Sequence, residues 1–349
     1  MATGRIYDDI FLRHEPPWHP EKPERLAAIC ELLRNDGLWD ELAAVPTPAA
    51  PPELIATVHE PDYVEHVQRL AEAGGGTLDH ETIVSPDTYE AAARAIGGAV
   101  SAVEAMLAGK LHNAIGLVRP PGHHAMPNRG MGFCIFNTIA IAADYAIREH
   151  GLERVAIVDF DVHHGNGTQH VFFNRRDVLY ISLHQYPLYP GTGSLAEVGI
   201  DAGYGYNINL PLPTGTCDRH IQRGLDEVIL PTLVDIYKPQ LVLVSAGYDG
   251  YHADPLAGWD LSAGCYHAIT QYLVEAAEAA ADGRLCLLLE GGYLLEALAV
   301  CVENSALALL GRPPLHSDPV PPDADSQRAR DLDNRVERIL EFHKARMTP

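Results

Sequence analysis

The sequence of 349 residues carries 47 acidic side chains against 25 lysine and arginine residues, which gives a formal net charge of −22. This balance argues against nucleic-acid binding, because neutralising phosphates needs a basic surface. It favours cationic substrates such as polyamines or lysine-rich peptides, although solubility alone would also explain it. The chain has no run of about 18 apolar residues, so a membrane span is not expected.

Short apolar runs bounded by turn residues predict strands that are buried on both faces of a sheet. They span residues 114–118, 155–160, 178–183, 241–245 and 285–289. Alanine- and leucine-rich stretches that are long enough for helices span residues 89–107, 138–149, 218–237, 263–281 and 294–310. This alternation predicts an α/β fold with one central parallel β-sheet and helices on both faces.

The organisation of the chain predicts one catalytic domain over residues 1–312, because the proline-rich connection at 46–53 is too short to separate two domains. Residues 313–349 are expected to form a C-terminal extension. It begins in a proline- and aspartate-rich stretch, and later apolar residues at helical spacing predict a helix for packing or for contact in a homo-oligomer: Leu332, Val336, Ile339 and Leu340.

The N-terminus and the cysteines indicate the compartment. Residues 1–20 lack a basic stretch followed by an apolar segment, so we expect no secretory signal and a cytoplasmic protein. The six cysteines are far apart and contain no CxxC pair. They are expected to be reduced and buried, and to form neither disulfides nor a thiolate zinc site.

Candidate metal ligands follow two of the predicted strands, at the sheet edge where open parallel sheets bind ligands. Asp161 and His163 are two residues apart on an extended backbone, so their side chains point the same way. Asp249, after another strand, could complete a set of two carboxylates and one imidazole, which leaves a position for water as in catalytic zinc sites. The alternative is that Asp161 and His163 cap the adjacent turn and helix. Four strand ends that converge on His, Asp and Tyr favour the metal site.

Candidate proton-transfer groups follow other strand ends. His123 and His124 come after Arg-Pro-Pro-Gly, and Asp159 and Asn166 are available to orient their imidazoles. Tyr293 follows two glycines, and its hydroxyl could hydrogen-bond a developing oxyanion, although it could also be an ordinary buried tyrosine. Beside a metal-activated water, these groups predict hydrolysis of an acyl compound.

The sequence resembles the histone deacetylase superfamily, and in particular the class II-like bacterial histone-deacetylase-like and acetylpolyamine amidohydrolases. The resemblance covers roughly residues 5–312 and rests on HPEKPER (19–25), RPPGHHA (119–125), GFCIFN (132–137), DFDVHHGNGTQ (159–169), ISLHQ (181–185), YPGTG (189–193), SAGYDGYHADP (245–255) and EGGY (290–293). It implies an arginase- and deacetylase-like fold with a zinc ion at the base of a narrow tunnel.

The resemblance also implies roles for single residues. It gives the zinc ligands Asp161, His163 and Asp249, and the tunnel residues Gly132, Phe133 and Tyr189. His124 matches the general base, which Asn166 backs as in the class II branch. His123 matches the histidine paired with Asp159, and Tyr293 matches the oxyanion-stabilising tyrosine of active members.

Two structural potassium sites belong to the same implied pattern. The first would use Asp159, Asp161, His163, Ser182 and Leu183, partly through backbone carbonyls. The second would use Phe172, Arg175, Val178 and Tyr206, where Arg175 is an unusual occupant.

The substrate is expected to be an acylated lysine peptide or a small acylated amine, with no nucleic acid or membrane involved. Leu256 stands where the polyamine-selective eukaryotic branch carries a glutamate gatekeeper, so acyl-lysine is preferred over acetylpolyamines. The alternatives are an amidohydrolase for an acylated metabolite, an arginase-type ureohydrolase with two manganese ions, and a non-catalytic acyl-lysine reader. The ligand set suits zinc and also iron(II).

Overall fold

The strands of the protein form one large parallel sheet and a small antiparallel ribbon in the computed structural model, which describes residues 2–318 and 327–347. The large sheet comprises β1 (Ala2–Ile6), β2 (Ala43–Val45), β5 (Leu111–Gly116), β6 (Val155–Asp159), β7 (Val178–Gln185), β8 (Asn207–Leu212), β9 (Leu241–Ala246) and β10 (Leu285–Leu289). The ribbon pairs β3 (Gly76–Thr77) with β4 (Ile83–Val84). Within the described residues the large sheet has the order β2-β1-β5-β10-β9-β6-β7-β8, and every neighbouring pair is parallel.

The α-helices pack in two groups against this sheet. Their bounds are α1 (Pro23–Asn35), α2 (Pro52–Ile55), α3 (Pro61–Glu72), α4 (Thr88–Leu107), α5 (Thr138–His150), α6 (Asn166–Phe172), α7 (Asp218–Gly224), α8 (Ala263–Ala280), α9 (Leu295–Leu309) and α10 (Gln327–Met347). Helices α4 and α5 pack together, and so do α1, α8 and α9. Strands β5 and β10 each contact a helix from both groups, which confirms the predicted parallel sheet with helices on both faces.

The central strands are buried along their whole length, which explains their continuous apolar sequences. Every residue of β6, β7, β9 and β10 is buried. Asp159, at the end of β6, is in register with Ser182 of β7 and Ser245 of β9. The strands therefore end together at one edge, and the loops that follow them meet there.

The predicted helix over residues 218–237 is present as one continuous helical segment, but its hydrogen bonding is not of the α type throughout. Helix α7 ends at Gly224, and wider π-helical turns follow at Leu225–Ile229 and Thr232–Tyr237. Pro231 lies between these turns and has no N–H to continue the hydrogen bonds of an α-helix. The predicted strand at 114–118 is displaced, because β5 begins at Leu111 and ends at Gly116.

Helix α10 packs against the edge strand β8, as its apolar spacing allows. Val336 and Leu340 are fully buried and join the main core. The Nε2 atom of His343 lies 2.7 Å from the carbonyl oxygen of Asn209 in β8. Part of the predicted extension, residues 319–326 and 348–349, lies outside the described residues, and the domain boundary at 312 stays a prediction. Among the helices described, none is long and apolar enough to cross a membrane.

Candidate metal centre and substrate pocket

One pocket lies at the carboxyl edge of the sheet and contains the side chains that follow the strands. Its empty volume, including the open mouth, is about 640 Å³. The predicted site residues that line it come from five separate loops, and they are His123, His124, Gly132, Phe133, Asp161, His163, Tyr189, Leu256 and Tyr293. Asp249 is buried behind them and contacts His163.

Three of these side chains form a compact set of metal-ligating atoms. Ligand atoms of Asp161, His163 and Asp249 all lie within 4.8 Å of one another. The Nδ1 atom of His163 is 3.0 Å from Asp249 Oδ2 and 3.2 Å from Asp161 Oδ1. Backbone N–H groups fix both carboxylates, since Gly291 donates to Asp161 at 2.8 Å and Val162 donates to Asp249 at 3.0 Å.

The backbone around this set leaves room only for the carboxylates. A Cβ atom on Gly291 would lie 2.2 Å from Asp249 Oδ2 and 2.6 Å from Asp161 Oδ2, and a Cβ atom on Gly247 would lie 2.0 Å from Asp161 Oδ2. Two carboxylates and one imidazole are donors that zinc accepts, and such a set leaves a position for water or substrate. These residues therefore fit a catalytic metal ion.

His123 is held as a charged ring by carboxylates behind the pocket. Its Nδ1 atom donates to Asp159 Oδ2 at 3.1 Å, and the Tyr180 hydroxyl donates to the same oxygen at 3.0 Å. Burial disfavours the charged ring, but the carboxylates of Asp159 and Asp161 outweigh it and raise the pKa of His123 to about 10. A Cβ atom on Gly165 would lie 2.2 Å from Asp159 Oδ2, so this contact also depends on a glycine.

His124 is held as a neutral ring and differs in this respect from its neighbour. Its Nδ1 atom is 2.8 Å from Asn166 Oδ1, so Nδ1 carries the proton and Nε2 is the free nitrogen. Burial and the nearby His123 and His163 rings hold the pKa of His124 well below its usual range. A ring of this kind accepts a proton at Nε2.

Tyr293 contributes a hydroxyl to the pocket wall. Its backbone N–H donates to Asp254 Oδ2 at 2.7 Å, and its ring packs edge-on against Phe133 with the centroids 5.8 Å apart. Burial and the carboxylates of Asp249 and Asp161 raise the pKa of Tyr293 well above its usual value. The hydroxyl therefore keeps its proton near neutral pH and can donate it in a hydrogen bond.

Aromatic rings form the walls of the pocket above the ligands. The Tyr189 ring lies 5.2 Å from the His124 ring, at 89° to it, and is 36% exposed at the mouth. Gly132 has φ +56°, and a Cβ atom there would lie 2.4 Å from His124 Cδ2, so only glycine lets the loop pass this close. Leu256 and Glu81 also line the pocket, so its rim is partly apolar and partly acidic.

The residues of the implied potassium sites lie in two places. Ser182 and Leu183 are buried in β7 beside Asp159, and the Ser182 hydroxyl is 2.9 Å from His184 Nδ1. At the second place the Arg175 guanidinium lies over the Phe172 ring and forms ion pairs with Asp177 and Asp144. Backbone carbonyls, which need no particular side chain, would be available there for a cation.

Several residues that shape the site were missed by reasoning from the sequence. The carboxylate of Glu290 accepts from the backbone N–H groups of Gly122 and His123, at 2.7 and 3.2 Å, and so holds the histidine loop. Asp254 fixes the backbone of Tyr293. Both residues lie within the sequence stretches that carry the family resemblance, and this position could have identified them as residues of the site.

Arg25 and Glu81 were missed as well. Arg25 is fully buried and donates to the carbonyl oxygens of Glu290 and Gly292, both at 2.6 Å, so it supports the loop that carries Tyr293. It lies in the HPEKPER stretch near the start of the chain. Glu81 lies in the loop between β3 and β4, and no sequence pattern placed that loop at the pocket.

Comparison with known proteins agrees with this geometry. A family model described as "Histone deacetylase domain" matches residues 19–309. A "Probable deacetylase" of Archaeoglobus fulgidus is 41% identical over 299 residues, which cover 85% of this chain and 82% of that protein. A "Histone deacetylase-like amidohydrolase" of Pseudomonas aeruginosa is 42% identical over 311 residues, which cover 83% of this chain and 81% of that protein.

More distant relatives extend the comparison. The mouse "Polyamine deacetylase HDAC10" is 38% identical and covers 92% of this chain, although this chain spans only 49% of that protein. The crystal structure of the "HDA15 HD domain" superposes with a TM-score of 0.88 at 32% identity, and covers 98% of this chain and 96% of that one. The predicted arginase- and deacetylase-like fold is thereby confirmed. The chain belongs to the histone deacetylase family and is a hydrolase that acts on amides.

Proposed function

We propose that the protein is a zinc-dependent deacetylase that hydrolyses acetyl-lysine-type amides to a carboxylate and a free amine. One observation carries the proposal. Asp161 and His163 line the same pocket as a neutral His124 and a protonated Tyr293, and Asp249 completes the ligand set from behind it. These are the groups that metal-assisted amide hydrolysis requires. Iron(II) suits the same ligands and is the alternative metal.

A zinc ion held by the three ligands would polarise the acyl carbonyl and acidify the attacking water. His124 accepts a proton from that water at Nε2, while Asn166 holds its Nδ1 proton in place. The Tyr293 hydroxyl donates a hydrogen bond to the acyl oxygen as negative charge develops there. His124 then returns the proton to the leaving amine. His123 and Asp159 form a charged pair behind the pocket, and their hydrogen bond holds the His123 ring in place.

The walls of the pocket support acyl-lysine as the substrate. Phe133 and Tyr189 present aromatic rings that can pack on both sides of an alkyl chain. Leu256 offers the rim an apolar side chain and no charge to bind a second ammonium group. A peptide whose lysine chain fills the pocket meets these conditions.

Acetylpolyamine is a second candidate substrate, and one observation favours it. The carboxylate of Glu81 lines the pocket and could attract the distant ammonium group of an acetylpolyamine. Two relatives of the chain, from mouse and human, are named polyamine deacetylases. The ureohydrolase and the non-catalytic reader are no longer favoured, because the relatives are named as deacetylases and amidohydrolases.

The remaining sequence-based expectations belong to the same proposal. Structural potassium would bind beside the zinc site through Asp159, Asp161, His163, Ser182 and Leu183. A second potassium ion would use the backbone carbonyls of Phe172, Arg175, Val178 and Tyr206. The enzyme would act in the cytoplasm. The charge of −22 is consistent with cationic, lysine-rich substrates.

The test compares turnover of an acetyl-lysine peptide and of acetylspermidine by the zinc-loaded protein, with Tyr293→Phe as the variant. We expect faster peptide turnover, and a fall in kcat of about 100- to 1,000-fold in the variant because it lacks the hydroxyl donor. Faster acetylspermidine turnover would favour the second candidate. If the variant kept wild-type kcat on both substrates, the proposed role of Tyr293 would be wrong.

A further inference from the structure

Three metal-ligating side chains meet at a second place, outside the substrate pocket. Asp36 caps the C-terminal end of α1, Glu303 lies in α9, and His316 lies in the segment that follows α9. Their ligand atoms all lie within 4.8 Å of one another. The Nε2 atom of His316 is 3.0 Å from Glu303 Oε2.

The carboxyl group of Glu303 is buried, and only one of its two oxygen atoms has a hydrogen-bond partner in the described part of the chain. Its side chain is 0% exposed, and its Oε1 atom has no hydrogen-bond partner among the described residues. The side chain beside it, Asp36, is another acid. Among the lysine and arginine side chains that the structure describes, none forms an ion pair with either carboxyl group. A buried carboxylate oxygen without a hydrogen-bond partner is costly, and a second acid nearby adds to the cost, so a proton or a cation between the two carboxyl groups would stabilise the site.

The imidazole is presented to these carboxyl groups by fixed backbone. The Nδ2 atom of Asn304 donates to the carbonyl oxygen of His316 at 2.8 Å, and the N–H of His316 faces Asn304 Oδ1 at 3.4 Å. His316 is 40% exposed and Asp36 is exposed, so an ion can enter from solvent. The buried Glu303 would form the inner wall of the site.

We propose that Asp36, Glu303 and His316 bind a divalent transition metal ion of the zinc type. Two carboxylates and one imidazole are suitable donors for zinc, and the imidazole disfavours magnesium and calcium. The ion would tie the end of α1 to α9 and to the segment after it. Helix α1 also carries Arg25, which supports the Tyr293 loop. The site is separate from the pocket and does not depend on the proposed function.

The experiment counts zinc bound to the full chain after metal removal and addition of Zn²⁺ with a weak competing chelator, by elemental analysis. Four proteins distinguish zinc binding at the two sites. They are wild type, Asp249→Asn, His316→Ala and the double variant. Glu303→Gln is a fifth protein, which keeps the shape of the buried side chain. His112→Ala is the matched control, because His112 also pairs with a glutamate, Glu278, but with no third ligand in the described residues.

We expect about two equivalents of zinc per chain in wild type and in the His112 variant, and about one in the Asp249, His316 and Glu303 variants. The double variant should bind almost none. If Asp249→Asn binds no zinc while wild type binds about one equivalent, this second site does not exist and the pocket site stands. If His316→Ala and Glu303→Gln bind as much zinc as wild type, the proposal is overturned. A carboxyl pair that shares a proton would give this result.

Discussion

The Nδ1 atom of His124 lies 2.8 Å from the Oδ1 atom of Asn166, while the neighbouring His123 ring donates to a carboxylate, Asp159. Two adjacent imidazoles therefore have different partners, one neutral and one charged. The amide orients its ring without adding charge, whereas the carboxylate stabilises the protonated form. This difference keeps His124 available as a base and His123 protonated.

Replacing Asn166 tests this assignment. Asn166→Asp places a carboxylate against Nδ1, which raises the pKa of His124 because it stabilises the charged ring. A base of higher pKa stays protonated, and therefore inactive, up to a higher pH. In the plot of kcat/KM against pH, the acidic limb should therefore move to higher pH by about one unit or more. Asn166→Ala should lower activity about 10- to 100-fold, because the ring loses its orienting partner.

The matched control is Asn174→Asp, which adds the same charge at an exposed position near α6. Its pH profile should match that of wild type. An Asn166→Asp profile that coincides with the wild-type profile would show that the titration of His124 does not govern the rate.

Gly291→Ala tests whether the carboxylates hold the metal ion. The new Cβ atom would lie 2.2 Å from Asp249 Oδ2 and would displace at least one carboxylate. Zinc affinity should fall about tenfold or more. Competition with a chelating dye measures it. Gly264→Ala is the control, since the nearest atom to its Cβ lies at 3.5 Å. Unchanged affinity in the Gly291 variant would contradict the ligand assignment.

Leu256 and Glu81 are expected to set the choice between lysine and polyamine substrates. Leu256→Glu adds a charge that attracts a second ammonium group, and it should raise the ratio of acetylspermidine to peptide turnover about fivefold. Glu81→Gln should lower the ratio. Ile236→Glu, which adds the same charge at an exposed site in the π-helical turns, should leave it unchanged. No change of the ratio in Leu256→Glu would refute this role for the position.

His59 should make the fold sensitive to acid. Its Nε2 atom accepts from the N–H of Asn137 at 2.8 Å, and burial lowers the pKa of His59 to about 4. Between the usual pKa of about 6.5 and this value, the unfolded chain binds more protons than the folded one, so stability falls as pH falls. The neutral His59 ring therefore contributes about 3 kcal/mol to the free energy of unfolding. This contribution is fully present above pH about 6.5 and is lost as the pH falls to about 4.

Urea denaturation between pH 7 and pH 4 measures this effect. His59→Gln should flatten the fall of the unfolding free energy with pH, even if the variant is less stable throughout. His66→Gln, at an exposed position of α3, should follow the wild-type slope. Parallel slopes for wild type and His59→Gln would assign the acid sensitivity to other groups.

The sequence predicted the central strands well because they are buried on both faces. Strand β10 has the predicted bounds, and β6, β7 and β9 begin where predicted. Strands β1 to β4 and β8 were missed. Strands β1 and β2 are partly exposed, and β3 and β4 have only two residues each. Strand β8 contains Asn207, Asn209 and Pro211. The two asparagines can lie in a buried strand because the protein supplies tertiary hydrogen bonds, such as those from the Asn207 and Asn209 amides to Gln169.

The site was predictable to a similar degree. Side chains at strand ends were identifiable, because parallel strands of this sheet type end at one edge. Glu81 and Arg25 could not be placed from the sequence, since they reach the site from the β3–β4 loop and from α1. Distances along the chain do not reveal such contacts between distant segments.

The most direct test of the proposed mechanism is metal removal and return. Protein stripped with a chelator should lose deacetylase activity, and added Zn²⁺ should restore it in wild type but not in Asp249→Asn, which lacks one ligand of the set. Circular dichroism should show that both proteins remain folded. Full activity of the stripped wild-type protein, or full recovery of the Asp249 variant with zinc, would contradict the assignment of Asp161, His163 and Asp249 as the catalytic metal site.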